Sequence, residues 1–163
     1  MSKRYASNTT VSVAKTKGEI EQLLQRHGAT GFGYICEEAR AAIAFTIADP
    51  DLPGAGRIEV RTTLVLPDPN SDEFTLTPTG IVRHPDKIRA LWETACRASW
   101  RALLLLIRAK LESVQAGITT IEEQFMSDVL LPSGETVGQT YEAQRHKLQS
   151  GDTPLMLTAG GAH

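Results

Sequence analysis

The sequence predicts an α+β fold: a three- to four-stranded antiparallel meander packed on one long central helix, with shorter flanking helices and a small C-terminal hairpin. Three observations carry that reading. No Gly or Pro interrupts residues 86–116, and Gly117 follows as a helix-ending residue. Residues 57–66 alternate apolar and polar with the period of a half-buried strand, and residues 32–36 and 41–47 are strand-like as well. The strands are joined by turns, which favours antiparallel pairing with one face against the helix.

Taken in order, residues 1–8 are polar and residues 9–13 alternate as a short strand would. Thr16 and Glu19 have capping-box spacing ahead of an amphipathic helix over 19–26, whose apolar edge is Ile20, Leu23 and Leu24. Gly28 closes it. In the second strand Ile43, Phe45 and Ile47 share one face, and residues 49–56 form a loop by composition. In the third, Ile58, Val60, Thr62, Leu64 and Leu66 face the core, whereas Arg57, Glu59, Arg61 and Thr63 face solvent. The connection 67–85 carries Asp68, Asn70, Asp72 and Glu73, without the regular frame and Gly turn of a calcium loop.

Pro85 ends the preceding loop and the long helix opens at Asp86, an acid placed at the positive end of the helix dipole. At about 100° per residue, Ile88, Trp92, Ala95, Ser99, Ala102, Leu103 and Leu106 form its broad apolar face. Leu104, Leu105, Ile107 and Leu111 lie outside that face, so the middle is apolar nearly all round. Such a girdle predicts burial by the domain or by another subunit, hence a homo-oligomer. Thr119 and Thr120, with Glu122 and Glu123, cap a further helix through Phe125. Residues 129–137 read as a hairpin turning at Ser133 and Gly134, and residues 139–149 as a final polar helix.

A chain of 163 residues with 41% apolar and 22% charged residues reads as one domain over 1–152 and a flexible tail over 153–163. A net charge of −2 excludes a global basic field and leaves room only for local basic patches. The apolar run is shorter than the ~20 residues of a membrane span and is bracketed by Arg101, Arg108 and Lys110, so no membrane placement is expected. Cys36 and Cys96 form no disulfide framework, and no apolar signal segment opens the chain, which points to a reducing cytoplasm.

The four histidines show no metal-ligand spacing, and neither a Gly-rich phosphate loop nor a GxSxG elbow is present. No catalytic residue, metal or cofactor is therefore assigned. Basic residues remain. Arg97, Arg101 and Arg108 recur on one side of the long helix and suit a phosphate backbone, although Glu93–Arg97 and Arg108–Glu112 also have the spacing of ion pairs. Arg57 and Arg61 stand on the exposed strand face, with Tyr34 nearby as a stacking aromatic.

Five segments, 8–13 (NTTVSV), 19–21 (EIE), 100–112 (WRALLLLIRAKLE), 117–125 (GITTIEEQF) and 131–138 (LPSGETVG), resemble in the same order a family of small uncharacterised proteins of bacteriophages and prophages. The resemblance implies a viral or mobile-element context and carries no site residue with it. Two functions are compatible with these features. One is a phage accessory protein of DNA metabolism that binds single-stranded DNA without catalysis. The other is an interaction or anti-defence protein that binds a host protein or sequesters a small nucleotide in an inter-subunit pocket, with the arginines on its phosphate.

Overall fold

A computed structural model describes residues 5–6, 8–37, 39–48 and 56–150, for 147–150 the backbone alone. The expected tail 153–163 and nearly all of the loop 49–56 lie outside the described residues. Three strands, β1 (Thr30–Cys36), β2 (Arg40–Ala48) and β3 (Arg57–Val65), form an antiparallel sheet in the order β1-β2-β3. Helix α1 (Val13–Arg26) precedes the sheet, and α2 (Asp72–Thr75), α3 (Pro85–Gln115), α4 (Ile121–Phe125) and α5 (Val137–Ser150) follow it. No helix among the described residues is long and apolar enough to cross a membrane.

Strand alternation sets which face is covered. Ile43, Phe45, Ile47, Ile58 and Val60 point inward and are buried, as the period-two pattern predicts. Helices α1 and α3 cover that face and also touch each other, so the core is a single layer between sheet and helices. Into it α1 sends Ile20, Leu23 and Leu24, and α3 sends Trp100, Leu103, Leu104, Ile107 and Leu111. Phe125 of α4 closes the end, its ring edge-on to Phe45 at 5.7 Å and 86°.

The buried stripe of α3 differs from the expected one. Cys96, Trp100, Leu103, Leu104, Ile107 and Leu111 are inside, whereas Leu105 and Leu106 are 46% and 48% exposed and Ala102 is exposed. The helix is rotated by about one residue because this stripe buries a tryptophan and four large aliphatics. The expected stripe would have spent contact area on Ala95, Ser99 and Ala102. Three of the four girdle residues are thus covered by the chain's own sheet, and Leu105 remains outside.

The N-terminal strand is absent, for a capping reason. The Ser12 hydroxyl accepts from the Lys15 amide at 3.2 Å, and α1 starts at Val13. Thr16 falls one turn inside the helix, fully buried, and its hydroxyl donates to the Ser12 carbonyl. Glu19 bonds to α3 through Arg101 rather than back to a cap. Gly28, at φ 80°, ends α1 as expected.

The connection before α3 is an ordered unit. Phe74 of α2 is buried, Leu76 bridges to Val82, and the Trp92 indole N–H donates to the Pro67 carbonyl at 2.8 Å. Arg83 donates to the Glu73 and Phe74 carbonyls at 2.9 and 3.2 Å, and His84 caps α3 by accepting from the Asp86 amide.

Helix α4 carries the expected capping box in full. Thr120 Oγ1 accepts from the Glu123 amide at 3.1 Å, and Glu123 Oε2 accepts from the Thr120 amide at 3.0 Å. Hydrogen bonds from Thr119 and then from Thr120 hold the Glu123 carboxyl below the usual carboxylate range. A depressed folded-state pKa contributes stability that is present above the unfolded pKa and fades as pH falls through the folded one. Glu123→Gln is therefore expected to lower the melting temperature most near neutral pH, and the gap to the parent should close on acidification below the carboxylate range. A gap independent of pH between neutral and strongly acidic buffer contradicts this.

Candidate functional site

Beyond α4 the chain turns through residues 126–128 as a 3₁₀ turn, and Val129 then bridges Val60 along the outer edge of β3. The Leu130 amide donates to the Glu59 carbonyl at 2.8 Å, and the hairpin closes with Leu130 opposite Thr136 and Gly134 at φ 85°. Thr136 and Gln139 then cap α5 reciprocally. The Thr136 hydroxyl accepts from the Gln139 amide at 3.2 Å, and Gln139 Oε1 accepts from the Thr136 amide at 2.9 Å. A Cβ at Gly138 would lie 2.9 Å from the Ser127 carbonyl oxygen, so only glycine lets α5 pack this closely on the 3₁₀ turn.

This route brings the first turns of α5 beside the outer face of the sheet, where the strand alternation places Arg57, Arg61, Thr63 and Val65 of β3 and Arg40 of β2. Arg61 Nη2 donates to the Gly134 carbonyl and to Gln139 Oε1, both at 2.9 Å, which leaves its other guanidinium N–H groups for a ligand. Between sheet and helix lies a concavity of ≈620 Å³, lined by Arg40, Arg61, Thr63, Val65, Tyr141 and Glu142 among others. A smaller hollow of ≈190 Å³ adjoins it, sharing Arg40 and Arg61 and reaching Ile35 and Glu37.

The register aligns the cations. Arg40 pairs with Val65, so Arg57, Arg61 and Arg40 fall at equal four-residue steps along β3, each roughly 13 Å. Arg57 and Arg40 are exposed, and Arg61 is half-buried under its α5 contacts.

The helix arginines belong to the other side of the sheet. Arg97 donates to Thr94 Oγ1 at 2.8 Å and to the Thr9 carbonyl at 3.4 Å, with Glu93 at 4.0 Å. Arg101 is half-buried against Glu19 of α1, with Nη1 to Oε2 at 2.5 Å. Arg108 is exposed, and the expected Arg108–Glu112 ion pair does not form. Arg97 and Arg101 thus tie α3 to the chain before it, and the five arginines do not share one surface.

Tyr34 also faces inward. Its hydroxyl donates to the Lys17 carbonyl at 2.9 Å, its ring lies 6.3 Å from Trp100, and the Lys17 ammonium sits over both rings at 5.1 and 4.8 Å. Burial, with Glu21 adding to it, raises the hydroxyl's pKa above the ordinary value. Tyr141, 42% exposed beside the concavity, is the aromatic placed with Arg61.

Arg40 and Tyr141 escaped sequence reasoning, although signals for both exist. Ile43, Phe45 and Ile47 fix the inward parity of β2, which sends Arg40 outward. Thr136 and Gln139 have capping-box spacing and would have started the last helix at Val137, bringing Tyr141 into its second turn. Among the described residues, no group of three or more His, Cys, Asp and Glu side chains is placed to hold a metal ion. In comparisons with protein-family models, curated proteins and solved structures, no match to this chain is found.

Proposed function

We propose that the chain is a phage or prophage accessory protein of DNA metabolism that binds single-stranded nucleic acid, without catalysis, across the outer face of its sheet. The observation that supports this most is the evenly spaced line of Arg57, Arg61 and Arg40 beside an open concavity with Tyr141 at its side. A backbone laid along β3 meets guanidinium groups at regular intervals, and Tyr141 and Val65 offer bases a partly apolar platform. Glu59 and Glu142 on the same side moderate the field, so binding is weak and strongly salt-dependent.

Fluorescence anisotropy with an oligo-dT strand tests the reading. With three phosphate contacts, log K should fall against log salt with a slope of about −2. Arg61→Ala and Arg40→Ala should each weaken binding about tenfold and flatten the slope by roughly 0.7, whereas Arg108→Ala should change neither. Absence of salt-dependent binding by the parent protein rejects the proposal.

We also propose that the chain self-associates through α3. Ala102, Leu105, Leu106 and Ala109 recur at i, i+3, i+4 and i+7 on its uncovered side, and all four are exposed. Multi-angle light scattering should give an oligomer that Leu105→Glu converts to monomer; a monomeric parent at high concentration refutes it.

A further inference from the structure

At the end of β1 an exposed thiol meets an amine. Phe32, Tyr34 and Cys36 share the inward parity of the strand, but Cys36 is its last residue and its thiol stands in solvent. Lys17, in the second turn of α1, reaches across to it, with Nζ 3.3 Å from Cys36 Sγ. Glu37, next in the chain, lines the outer hollow with Arg40 and so stands on the far face of the sheet. The other thiol, Cys96, is buried.

The Lys17 side chain is held in this pose at both ends. The Tyr34 hydroxyl donates to its backbone carbonyl at 2.9 Å, and its ammonium sits 5.1 Å from the Tyr34 ring centre and 4.8 Å from that of Trp100. Neighbouring acids do not draw it away. Glu19 is committed to Arg101 and Glu21 accepts from Gln25, and Lys17 forms no ion pair with an acid among the described residues. A lysine ordinarily ranges over a flexible four-carbon stem. Here that freedom is lost on folding, and the two heteroatoms already lie within the roughly 3–3.5 Å of a near-attack arrangement.

We propose that Lys17 and Cys36 form a reversible covalent staple, a sulfur–nitrogen bond closed by hydrogen peroxide and opened by thiols. In the first step the Cys36 sulfur attacks one peroxide oxygen. An S–O bond forms, the O–O bond breaks, and the thiol proton leaves with the second oxygen as water. The sulfur is thereby oxidised by two electrons to a sulfenic acid, and the peroxide is reduced. In the second step Lys17, having given one proton of its ammonium to solvent, attacks that sulfur through its nitrogen lone pair. The S–N bond forms, the S–O bond breaks, and hydroxide departs with a proton from the nitrogen as a second water. Two equivalents of an added thiol reverse the link, restoring thiol and amine and leaving as a disulfide. The bond ties α1 to β1 and does not rest on the reading given for the outer sheet face.

Peroxide treatment of the full chain, followed by tryptic digestion and mass spectrometry, tests the staple. Trypsin does not cut at a blocked Lys17, so residues 16–26 and 27–40 should appear as one joined pair, about 2 Da lighter than their sum. Dithiothreitol should separate them. Lys17→Arg keeps a cation over the rings but replaces the amine by a poor nucleophile. It should lower the yield of joined peptides at least about tenfold and let Cys36 run on to sulfinic acid. Because the bond closes the chain between residues 17 and 36, the treated parent should melt about 5 °C higher, a gain that Lys17→Arg lacks. The proposal is overturned by oxidised Cys36 with residues 16–26 unlinked, by a Cys36 disulfide between two copies in place of the link, by joined peptides that persist in Lys17→Arg, or by a linked form that melts no higher than the reduced one.

Discussion

Phe125→Ala is expected to destabilise the protein by about 3–5 kcal/mol, read as a fall in the urea midpoint at constant slope. The ring is fully buried, stands edge-on to Phe45, and has the Lys110 ammonium 4.8 Å above it. It is also the main anchor of α4, a five-residue helix too short to persist without packing. The site therefore loses transfer energy, leaves a cavity and releases its own element. Leu105→Ala removes the same kind of apolar bulk from a half-exposed position and should cost no more than about 0.5 kcal/mol in the monomer. If the two variants proved equally destabilised, the orientation of α3 described above would be wrong.

Asp128→Ala should cost about 2–3 kcal/mol, because one carboxylate joins three parts of the fold. Asp128 Oδ2 accepts from Thr62 Oγ1 of β3 at 3.1 Å and from Lys110 Nζ of α3 at 3.2 Å. The Lys110 side chain is only 16% exposed, so removing the acid leaves an ammonium with little water to compensate it. Asp128→Asn keeps an acceptor oxygen and should lose roughly half as much. Lys110 links this group to Phe125, so the double variant should depart from additivity by at least about 0.5 kcal/mol. Strict additivity in a double-mutant cycle would show that the ammonium's place over the ring carries no energy.

Most of the architecture was legible wherever a local rule decided it. Strand alternation in residues 57–66 assigned Ile58, Val60 and Thr62 to the core and Arg57 and Arg61 to the outside. Gly28 and Gly117, at φ 80° and 70°, and the Thr120–Glu123 box marked helix ends through backbone chemistry alone. The orientation of α3 was not legible. Its middle is apolar nearly all round, so periodicity leaves more than one stripe, and the choice belongs to the sheet that receives it. Residues 9–13 failed for the opposite reason: their alternation is genuine, but an isolated strand has no ladder to join, and Ser12 instead serves the open donors of α1.

The candidate sites divide along the same line. Arg57 and Arg61 were found because their position follows from parity within one strand. Their neighbours Arg40 and Tyr141 come from other elements and meet them only through strand register and the return of the chain into α5. Arg97 and Arg101 share a side of α3 as the spacing requires, yet spacing is silent about Glu19 and Thr9, which arrive from the far end of the sequence.

The crossing of Val129 and Leu130 over β3 also limits how copies of this chain can join through their backbones. Around Glu59 and Val60 that flank is met by one bridge and one backbone hydrogen bond, whereas β1 has no partner on its outer side among the described residues. Edge-to-edge pairing between copies is therefore least obstructed at β1. Two such margins brought together would merge the sheets of two copies into a single one of six strands.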